Sequence, residues 1–383
     1  MLRAMFVTPS LSYGGAERHA ITLTRRLGDR GHECHSVYIK NRTDQLDRIH
    51  PRAGETVRCL DAARYFDLDA VRDLSAHISR VRPSVIVAAN PYALMYSCLA
   101  ARHSRWRVPR VVIFHTNRLL CTKERLQMIP YRIFFWAADC SVFVCERQKR
   151  YWMRRGVLSR RNELIYNGVD TTEFSHRCSP DERGRLRKSF GFSGEDYVIG
   201  MLALLRSEKN HVQLVDAIAL LRKRGIRCRA LMIGDGPTRP MIESRARALA
   251  VEGDVVITGL QQDVRPFVAA CDAIALCSTT EAFSLAAIEA MAVGRPVVHS
   301  EMGGAAEMIV PGRNGFLFPA GDTEALVERL ATLADRAICA RMGRDARATA
   351  EALFSEKVMV DRYELLLLDL VGPGAGVREA PVC

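Results

Sequence analysis

The residues from Ala4 to Ile39 read AMFVTPSLSYGGAERHAITLTRRLGDRGHECHSVYI. The first five have the apolar pattern of a short strand, and the glycine pair Gly14-Gly15 follows. An amphipathic helical pattern covers Ala16–Gly31, with Gly31 as its predicted C-terminal cap, and a second strand pattern covers Cys34–Ile39. A strand, a helix and a second strand in this order predict a βαβ unit with parallel strands.

The same alternation continues along the chain and predicts an α/β fold with two doubly wound, Rossmann-like domains. Leu164–Asp170 is predicted as a strand that ends in an Asn-Gly turn, and a polar stretch follows from Thr171 to Glu195. This predicts a first domain at 1–170 and a second at 171–354, facing each other across a cleft. A last helix at about 355–371 could pack back on the first domain. The other predicted strands are Val85–Ala89, Arg110–His115, Cys140–Cys145, Tyr197–Leu204, Arg229–Ile233, Val255–Thr258, Ala273–Cys277 and Pro296–His299.

The composition is that of a globular protein, with 48% hydrophobic and 26% charged residues. Most of the twelve cysteines fall inside apolar runs and none forms a Cys-x-x-Cys pair, which indicates a reducing, cytoplasmic setting without a zinc site. The N-terminal apolar run is too short for a signal peptide, and no apolar stretch is long enough to span a membrane.

The net charge of +12 is unevenly distributed. Residues 1–168 contain 29 Lys and Arg against 14 Asp and Glu, whereas the remainder contains 26 against 29. Such asymmetry suggests that the first half faces an anionic partner, although an ordinary solvated surface is the alternative.

The segment Glu281-Ala-Phe-Ser-Leu-Ala-Ala-Ile-Glu289 follows a predicted strand, and Ser278–Glu281 has the composition of a helix N-terminus. Two carboxylates eight residues apart on a helix are about 12 Å apart along the axis, which is too far for a paired-carboxylate hydrolase and suits a sugar nucleotide. The backbone N–H groups of Phe283–Ala286 would then face the diphosphate. A plain helix with two solvated glutamates is the alternative.

With this segment the chain resembles the retaining glycosyltransferases of the GT-B fold, CAZy family GT4, also called glycosyl transferases group 1. The resemblance covers about residues 10–320 and rests on the order of seven further motifs. These are Ser12-Tyr-Gly-Gly-Ala-Glu-Arg18, Phe114-His115-Thr116-Asn117, Asn167-Gly-Val-Asp170, Arg206-Ser-Glu-Lys209-Asn210-His211, Gly234-Asp-Gly-Pro237, Gly303-Gly304-Ala-Ala-Glu307 and Asn314-Gly315-Phe316.

The resemblance implies roles for these residues. Glu281 would bond the sugar hydroxyls, Glu289 the ribose hydroxyls, and His115 would lie beside the transferred sugar. Lys209 and Arg206 would neutralise the departing diphosphate, with Arg206 replacing an arginine that the family often carries at the position of Leu204. The donor-binding set is Gly14, Gly15, Gly234, Phe283, Ser284, Leu285 and Glu289.

Other sequence features argue against a metal-dependent transferase and against a dinucleotide-binding enzyme. Asp67-Leu-Asp69 resembles the Asp-x-Asp of metal-using transferases, but its position at a helix start favours a capping role. We therefore expect no essential metal and no cofactor. The segment from Gly234 to Arg239 lacks the third glycine of a dinucleotide fingerprint.

The basic segments Arg118–Arg132 and Arg147–Arg155 mix cations with apolar and aromatic residues, which is typical of contact with an anionic membrane surface. The first domain would hold a glycan or lipid-linked acceptor there, on the inner face of the cytoplasmic membrane. A solvated helix is the alternative.

The resemblance implies transfer of a hexosyl group from a UDP or GDP sugar to an acceptor hydroxyl with retained configuration, in polysaccharide or lipid-linked glycan biosynthesis. The alternatives are a nucleotide-sugar epimerase or phosphorylase of the same fold, or a non-catalytic protein that binds nucleic acid or glycan. Dependence on an acceptor would separate a transferase from the first two. A nucleic-acid partner is not expected, because no recognition module is present.

Overall fold

The structure is a computed structural model that describes residues 1–12, 14–102, 104, 106–116, 122–175 and 179–372. Tyr13 of the glycine motif, Asn117 after His115, Arg118 and its neighbours through residue 121, and the tail from residue 373 lie outside the described residues. The chain divides into two compact units. The first comprises Met1–Asn167 and the segment that begins at Met359, and the second is Gly168–Val358.

The first unit contains a parallel sheet of seven strands in the order β3-β2-β1-β4-β5-β6-β7. The strands are β1 (Arg3–Thr8), β2 (Glu33–Tyr38), β3 (Val57–Cys59), β4 (Val85–Ala88), β5 (Arg110–Phe114), β6 (Cys140–Phe143) and β7 (Arg161–Leu164). The helices between them are α1 (Gly15–Asp29), α2 (Leu68–Val81), α3 (Pro91–Ala101), α4 (Thr122–Ala137) and α5 (Glu146–Met153).

The second unit contains a parallel sheet of six strands in the order β10-β9-β8-β11-β12-β13. Its helices are α6 (Pro180–Ser189), α7 (His211–Lys223), α8 (Arg239–Ala248), α9 (Arg265–Ala270), α10 (Leu285–Ala292), α11 (Ala305–Met308), α12 (Thr323–Leu333) and α13 (Arg336–Leu353). Its strands are β8 (Tyr197–Leu202), β9 (Cys228–Ile233), β10 (Val255–Ile257), β11 (Ala273–Leu276), β12 (Val297–Ser300) and β13 (Gly315–Phe318). The predicted α/β class with two doubly wound sheets is confirmed.

The last helix, α14 (Glu356–Val371), supplies the core on one face of the first sheet. Its buried residues pack in a single apolar cluster with β1, β4, β5 and β6 and with Leu23 and Leu27 of α1. The opposite face of that sheet is covered by a separate cluster from α2, α3 and α4. Both faces are therefore buried, as the apolar runs of a parallel sheet require.

Several predicted elements differ from the structure. Leu164–Asp170 is not a strand, because β7 covers Arg161–Leu164 and ends where the prediction begins. The polar stretch after Thr171 contains helix α6, which starts at a capping box between Ser179 and Glu182. The short strands β3 and β13 were not predicted.

The capping role predicted for Asp67 is confirmed. Its carboxylate accepts hydrogen bonds from the backbone N–H groups of Asp69 and Ala70 at the start of α2, at 3.1 and 3.2 Å. These bonds lower the pKa of Asp67 because they favour the charged carboxylate.

Candidate active site

The candidate site in the second unit lies where its strand order changes direction, between β8 and β11. In doubly wound sheets the loops that leave two such neighbouring strands diverge at their carboxyl ends and form a ligand site. Here the two loops are joined, since Thr279 donates its backbone N–H to the carbonyl of Glu208 at 2.8 Å. The side chain of Thr279 donates to the same oxygen at 3.3 Å. Residues on the two loops are thus held in fixed register.

Lys209 and Glu281 meet at this point. The Lys209 Nζ donates to Glu281 Oε2 at 2.5 Å, and the two side chains are 25% and 17% exposed. Lys209 closes a 3₁₀ turn at Ser207–Lys209, after which Asn210 adopts the left-handed conformation and starts α7. The predicted phosphate-binding lysine and the predicted sugar-binding glutamate therefore form a charge-assisted hydrogen bond in partial shelter from water.

Helix α10 begins directly after Glu281. Ser284 is its N-cap and accepts a hydrogen bond from the N–H of Ala287 at 3.3 Å. The N–H groups of Leu285 and Ala286 precede the first helical hydrogen bond, so they lie at the positive end of the helix dipole. Phe283 is buried against Phe354, with ring centroids 5.5 Å apart, and can serve a ligand only through its backbone.

The predicted start of this helix at Ser278–Glu281 is wrong. Thr279 uses its backbone N–H in the bond to Glu208, and the chain stays extended or bent until Ser284 caps the helix. Glu281 is consequently a loop residue, and the separation of 12 Å along a helix does not apply to it. Glu289 lies one turn inside α10 and is buried.

The loop after β12 supports the backbone of Glu281. Gly304 donates its N–H to the carbonyl of Ala282 at 2.7 Å, and Gly303 has a φ of +54°. A Cβ at Gly303 would lie 2.2 Å from the carbonyl oxygen of Glu281. Only glycine fits here, because both the backbone conformation and the space exclude a side chain.

Gly234 is closely packed at the carboxyl edge of the second sheet, whereas Arg206 is not. Gly234 follows β9 with a φ of +148°, and its Cβ position is 2.1 Å from the carbonyl oxygen of Ala203 after β8. Arg206 is exposed and makes no ion pair within the described residues. Leu204 is also exposed, so the structure leaves both side chains at the surface of the loop after β8.

His299 is a candidate that the sequence reasoning missed. It lies in β12, next to β11, and its Nδ1 is 2.7 Å from the carbonyl oxygen of Ser300, to which it can donate. Its Nε2 is buried without a partner in the described residues. Burial lowers the pKa of His299, and the nearby Glu281 carboxylate opposes that shift. The signal was a histidine at the end of an apolar strand, directly before the Gly303-Gly304 loop.

The first unit has its own direction change, between β1 and β4. Gly14 is the N-cap of α1 after β1, and Gly15 is the first helical residue. Asn90 follows β4 with a φ of +128° and caps α3 by accepting from the N–H of Ala93 at 3.1 Å. His115 directly follows β5, one residue beyond the strand end. Asn90 was missed, although its Asn-Pro sequence marks a turn.

His115 is partly buried and packs against the buried His19 of α1. The two imidazole rings meet edge to face with centroids 5.1 Å apart, and His19 also meets Tyr363 of α14 at 5.4 Å. The Nδ1 of His19 lies 2.9 Å from Oδ1 of Asn167, so His19 donates through Nδ1. Nε2 of both histidines is buried without a partner in the described residues.

Burial keeps both histidines neutral. It lowers the pKa of His115 to about 3, helped by the neighbouring His19, and lowers the pKa of His19 to about 4 against the effect of the Asn167 hydrogen bond. At neutral pH His115 can therefore offer hydrogen bonds without carrying charge.

The structure thus assembles the predicted residues in two groups. In the second unit it brings Lys209, Glu281 and the Ser284–Leu285 helix start together, and Gly234 directly follows β9, the strand next to β8. In the first unit Gly14 and Gly15 head α1, and His115 meets that helix at His19.

Comparison with known proteins identifies the class. The family model described as Glycosyl transferases group 1 matches residues 182–349, and the model described as Glycosyltransferase Family 4 matches residues 13–173. Between them the two matches cover both units. The chain belongs to the GT4-type glycosyltransferases of the GT-B fold, and it is a transferase enzyme.

Individual relatives match most of the chain. N-acetyl-alpha-D-glucosaminyl L-malate synthase of Bacillus anthracis is 28% identical over 385 residues, which cover 94% of this chain and 95% of the relative. The capsular polysaccharide biosynthesis glycosyltransferase CapM of Staphylococcus aureus is 22% identical over 79% of this chain and 81% of its own length. The crystal structure of Anabaena HepE in complex with UDP superposes with a TM-score of 0.84 at 22% identity, over 96% of this chain and 99% of that one, which shows the shared fold.

Three further observations concern metals, disulfides and membranes. Within the described residues no group of three or more His, Cys, Asp or Glu side chains is placed to hold a metal ion. No disulfide joins the cysteines of that part of the chain. None of its helices is long and apolar enough to cross a membrane.

Proposed function

We propose that the enzyme transfers a hexosyl group from a nucleoside diphosphate sugar to an acceptor hydroxyl, with retained anomeric configuration. The observation that carries this proposal is the Lys209–Glu281 pair at the β8/β11 direction change, next to the N-terminus of α10. A cation and a helix N-terminus suit a diphosphate, and a carboxylate suits sugar hydroxyls.

The pair would exchange partners when the donor binds. In the structure each charge compensates the other, so neither is left uncompensated before the donor arrives. With the donor present, Lys209 would contact the diphosphate and Glu281 the hydroxyls of the hexose. Lys209 would then stabilise the negative charge that develops on the leaving phosphate, as fixed charges do in transition states. Arg206 would add to this from the same loop, and Glu289 would serve the ribose.

The reaction would proceed on one face of the sugar. The bond between the anomeric carbon and the phosphate oxygen breaks while the acceptor oxygen bonds to the same carbon from the same side. The acceptor proton passes to the departing phosphate oxygen, so no enzyme nucleophile is required. Neutral His115 would hydrogen-bond the transferred sugar or the leaving oxygen without adding charge. We propose no essential metal, since Lys209 and the helix N-terminus already supply positive charge.

The relatives guide the choice of substrates. HepE was crystallised with UDP, which favours a UDP sugar over the GDP alternative as the first donor to test. CapM is named for capsular polysaccharide biosynthesis, and we propose a similar role in polysaccharide or lipid-linked glycan assembly. The relative from Bacillus anthracis is named as an N-acetyl-alpha-D-glucosaminyl L-malate synthase. A small hydroxy acid is therefore the second class of acceptor to test, after glycans and lipid-linked glycans.

The first experiment is thermal stabilisation by UDP, GDP, ADP and CMP. A ligand at 100 times its dissociation constant adds about 2.7 kcal/mol to the free energy of unfolding, enough for a shift of about 2–4 °C. Stabilisation by one nucleotide that is weakened in Glu289→Gln and Lys209→Met supports the donor site. No shift with any of the four contradicts it.

Turnover then separates the reaction types. With the matching donor, hexosyl transfer that requires an acceptor hydroxyl and gives a product of unchanged anomeric configuration by NMR supports retaining transfer. An inverted product contradicts the mechanism. Release of an epimerised donor without an acceptor contradicts the transferase reaction itself.

We further propose that the enzyme is cytoplasmic and works at the inner face of the cytoplasmic membrane through its basic first unit. Arg154 and Arg155 are exposed in this unit, whereas Arg150 is partly neutralised by Glu146 at 3.5 Å. An anionic lipid surface would attract these cations and bring a lipid-linked acceptor to the enzyme.

A further inference from the structure

Helix α4 is apolar on two opposite faces. Met128, Tyr131 and Phe135 are buried in the core of the first unit. The outer face carries a second apolar row, at spacings of three and four residues, in which each side chain is at least half exposed. These are Leu126 at 62%, Ile129 at 52%, Ile133 at 64% and Trp136 at 56%.

Such a row is unusual on the outside of a soluble domain. A helix with only one face in the core normally places polar residues on the other face, and a helix that is apolar all round is normally covered. Isolated exposed apolar residues need no explanation, but four on one helical stripe mark a surface that contacts a partner.

Two exposed arginines flank the C-terminal end of this row, which we call the α4 row. Trp136 donates its indole N–H to the carbonyl of Gly156 at 3.1 Å, so the turn after α5 lies beside it. Arg154 and Arg155 in that turn are exposed and make no ion pair with a carboxylate of the described residues. The Arg155 guanidinium lies 3.7 Å from the centre of the Tyr151 ring, and Met153 adds a further exposed apolar side chain.

We propose that the α4 row lies in the interfacial layer of an anionic lipid bilayer, with Arg154 and Arg155 at the headgroups. A tryptophan with one polar edge, aliphatic side chains below it and long cations beside it is the combination that this layer favours. The excess of 15 basic residues in 1–168 complements an anionic lipid surface rather than a neutral protein groove. This inference rests on the membrane contact proposed above for the first unit. It adds which side chains of that unit enter the lipid.

The test is co-sedimentation with vesicles of phosphatidylcholine alone and of phosphatidylcholine mixed with phosphatidylglycerol. Wild type should bind the mixed vesicles at least about tenfold more tightly than neutral ones. The double variant Ile129→Glu, Ile133→Glu should lose about tenfold or more in affinity for the mixed vesicles. The matched control is Met241→Glu, Leu260→Glu, which places two carboxylates at exposed apolar positions of the second unit and should bind as wild type.

Fluorescence supplies an independent readout. Of the three tryptophans, Trp152 is fully buried and Trp106 is partly buried in the same unit, whereas Trp136 is exposed, so binding should shift the emission of wild type to the blue and leave that of Trp136→Phe almost unchanged. Equal vesicle binding by wild type and the Ile129/Ile133 variant would overturn the proposal. A lipid-free dimer that this variant abolishes would also overturn it, in favour of a second copy of the chain. Nucleotide stabilisation does not depend on lipid, so a failed donor site would be recognised separately.

Discussion

Replacing Gly303 by alanine should have two effects. It should strain the backbone at residue 303, and it should displace the loop that carries Glu281. The left-handed φ of +54° costs a non-glycine residue about 1–2 kcal/mol. In addition, the new Cβ would lie 2.2 Å from the carbonyl oxygen of Glu281, whereas an ordinary carbon–oxygen contact is about 3.3 Å. The backbone of Glu281 therefore has to shift by about 1 Å.

A shift of this size matters far more for catalysis than for stability. Misplacing a catalytic group by about 1 Å can lower the rate about 100-fold. We expect Gly303→Ala to lose about 2–3 kcal/mol in free energy of unfolding, from conformation and crowding together, and to fall about 100-fold in kcat. Urea unfolding followed by circular dichroism and initial rates with the donor identified by stabilisation would measure the two effects.

The matched control is Gly321→Ala in the same unit. Gly321 has a φ of +86°, and no atom of the described residues lies within 4 Å of its Cβ position. It should lose only the conformational cost of about 1–2 kcal/mol and keep the wild-type kcat. If Gly303→Ala folds and retains kcat within about twofold of wild type, the loop does not position Glu281 for catalysis.

Three further predictions concern single side chains. Lys209→Met should lower kcat about 100–1000-fold in donor turnover, because the charge on the leaving phosphate loses its partner. Urea unfolding should show a loss of only about 1–2 kcal/mol in the free energy of unfolding. A destabilised variant that keeps its kcat would indicate that the Lys209–Glu281 pair is merely structural. Buried His19 has a folded pKa of about 4 against 6.5, so the unfolded chain alone takes up its proton as pH falls from 6.5 towards 4. Its contribution is complete above pH 6.5, and between about pH 7 and 5 wild type should lose about 2 kcal/mol more than His19→Gln in urea titrations; an equal loss would refute the assignment. Asp67→Ala should cost about 1 kcal/mol through the lost N-cap and leave kcat unchanged, and a loss of activity would instead point to a role for Asp67 in the reaction.

Much of the fold could be predicted because central strands of a parallel sheet are buried on both faces. β4, β6 and β11 are short β-branched or apolar runs in the sequence and appear where they were predicted. The missed strands β3 and β13 lie at sheet edges and are only three and four residues long. Helix α6 was missed because its residues are nearly all polar. The spacing of Ser179 and Glu182 is that of a capping box, and it could have predicted the start of the helix.

The candidate site residues were chosen one by one from the sequence, and their roles stay predictions, but the contacts between them could not be predicted at all. Lys209 and Glu281 are 72 positions apart, and no sequence pattern specifies the hydrogen bond between them. The start of α10 was misplaced because Ser278 and Thr279 resemble caps, while Thr279 is used in the bond to the loop after β8. The meeting of His19 with Tyr363 joins residues near opposite ends of the chain and is equally invisible to local patterns.

The position of α14 has a consequence for how the protein is made. Its side chains Tyr363, Leu366 and Leu367 complete the core on one face of a sheet whose first strand begins at Arg3. During synthesis the ribosome releases the whole second unit before this helix emerges. The second unit can therefore finish folding first. Until α14 is made, the face of the first sheet that this helix covers stays exposed to solvent. A chain that stops before Met359 would leave that face open, and it would be a substrate for chaperones and proteases rather than a smaller enzyme.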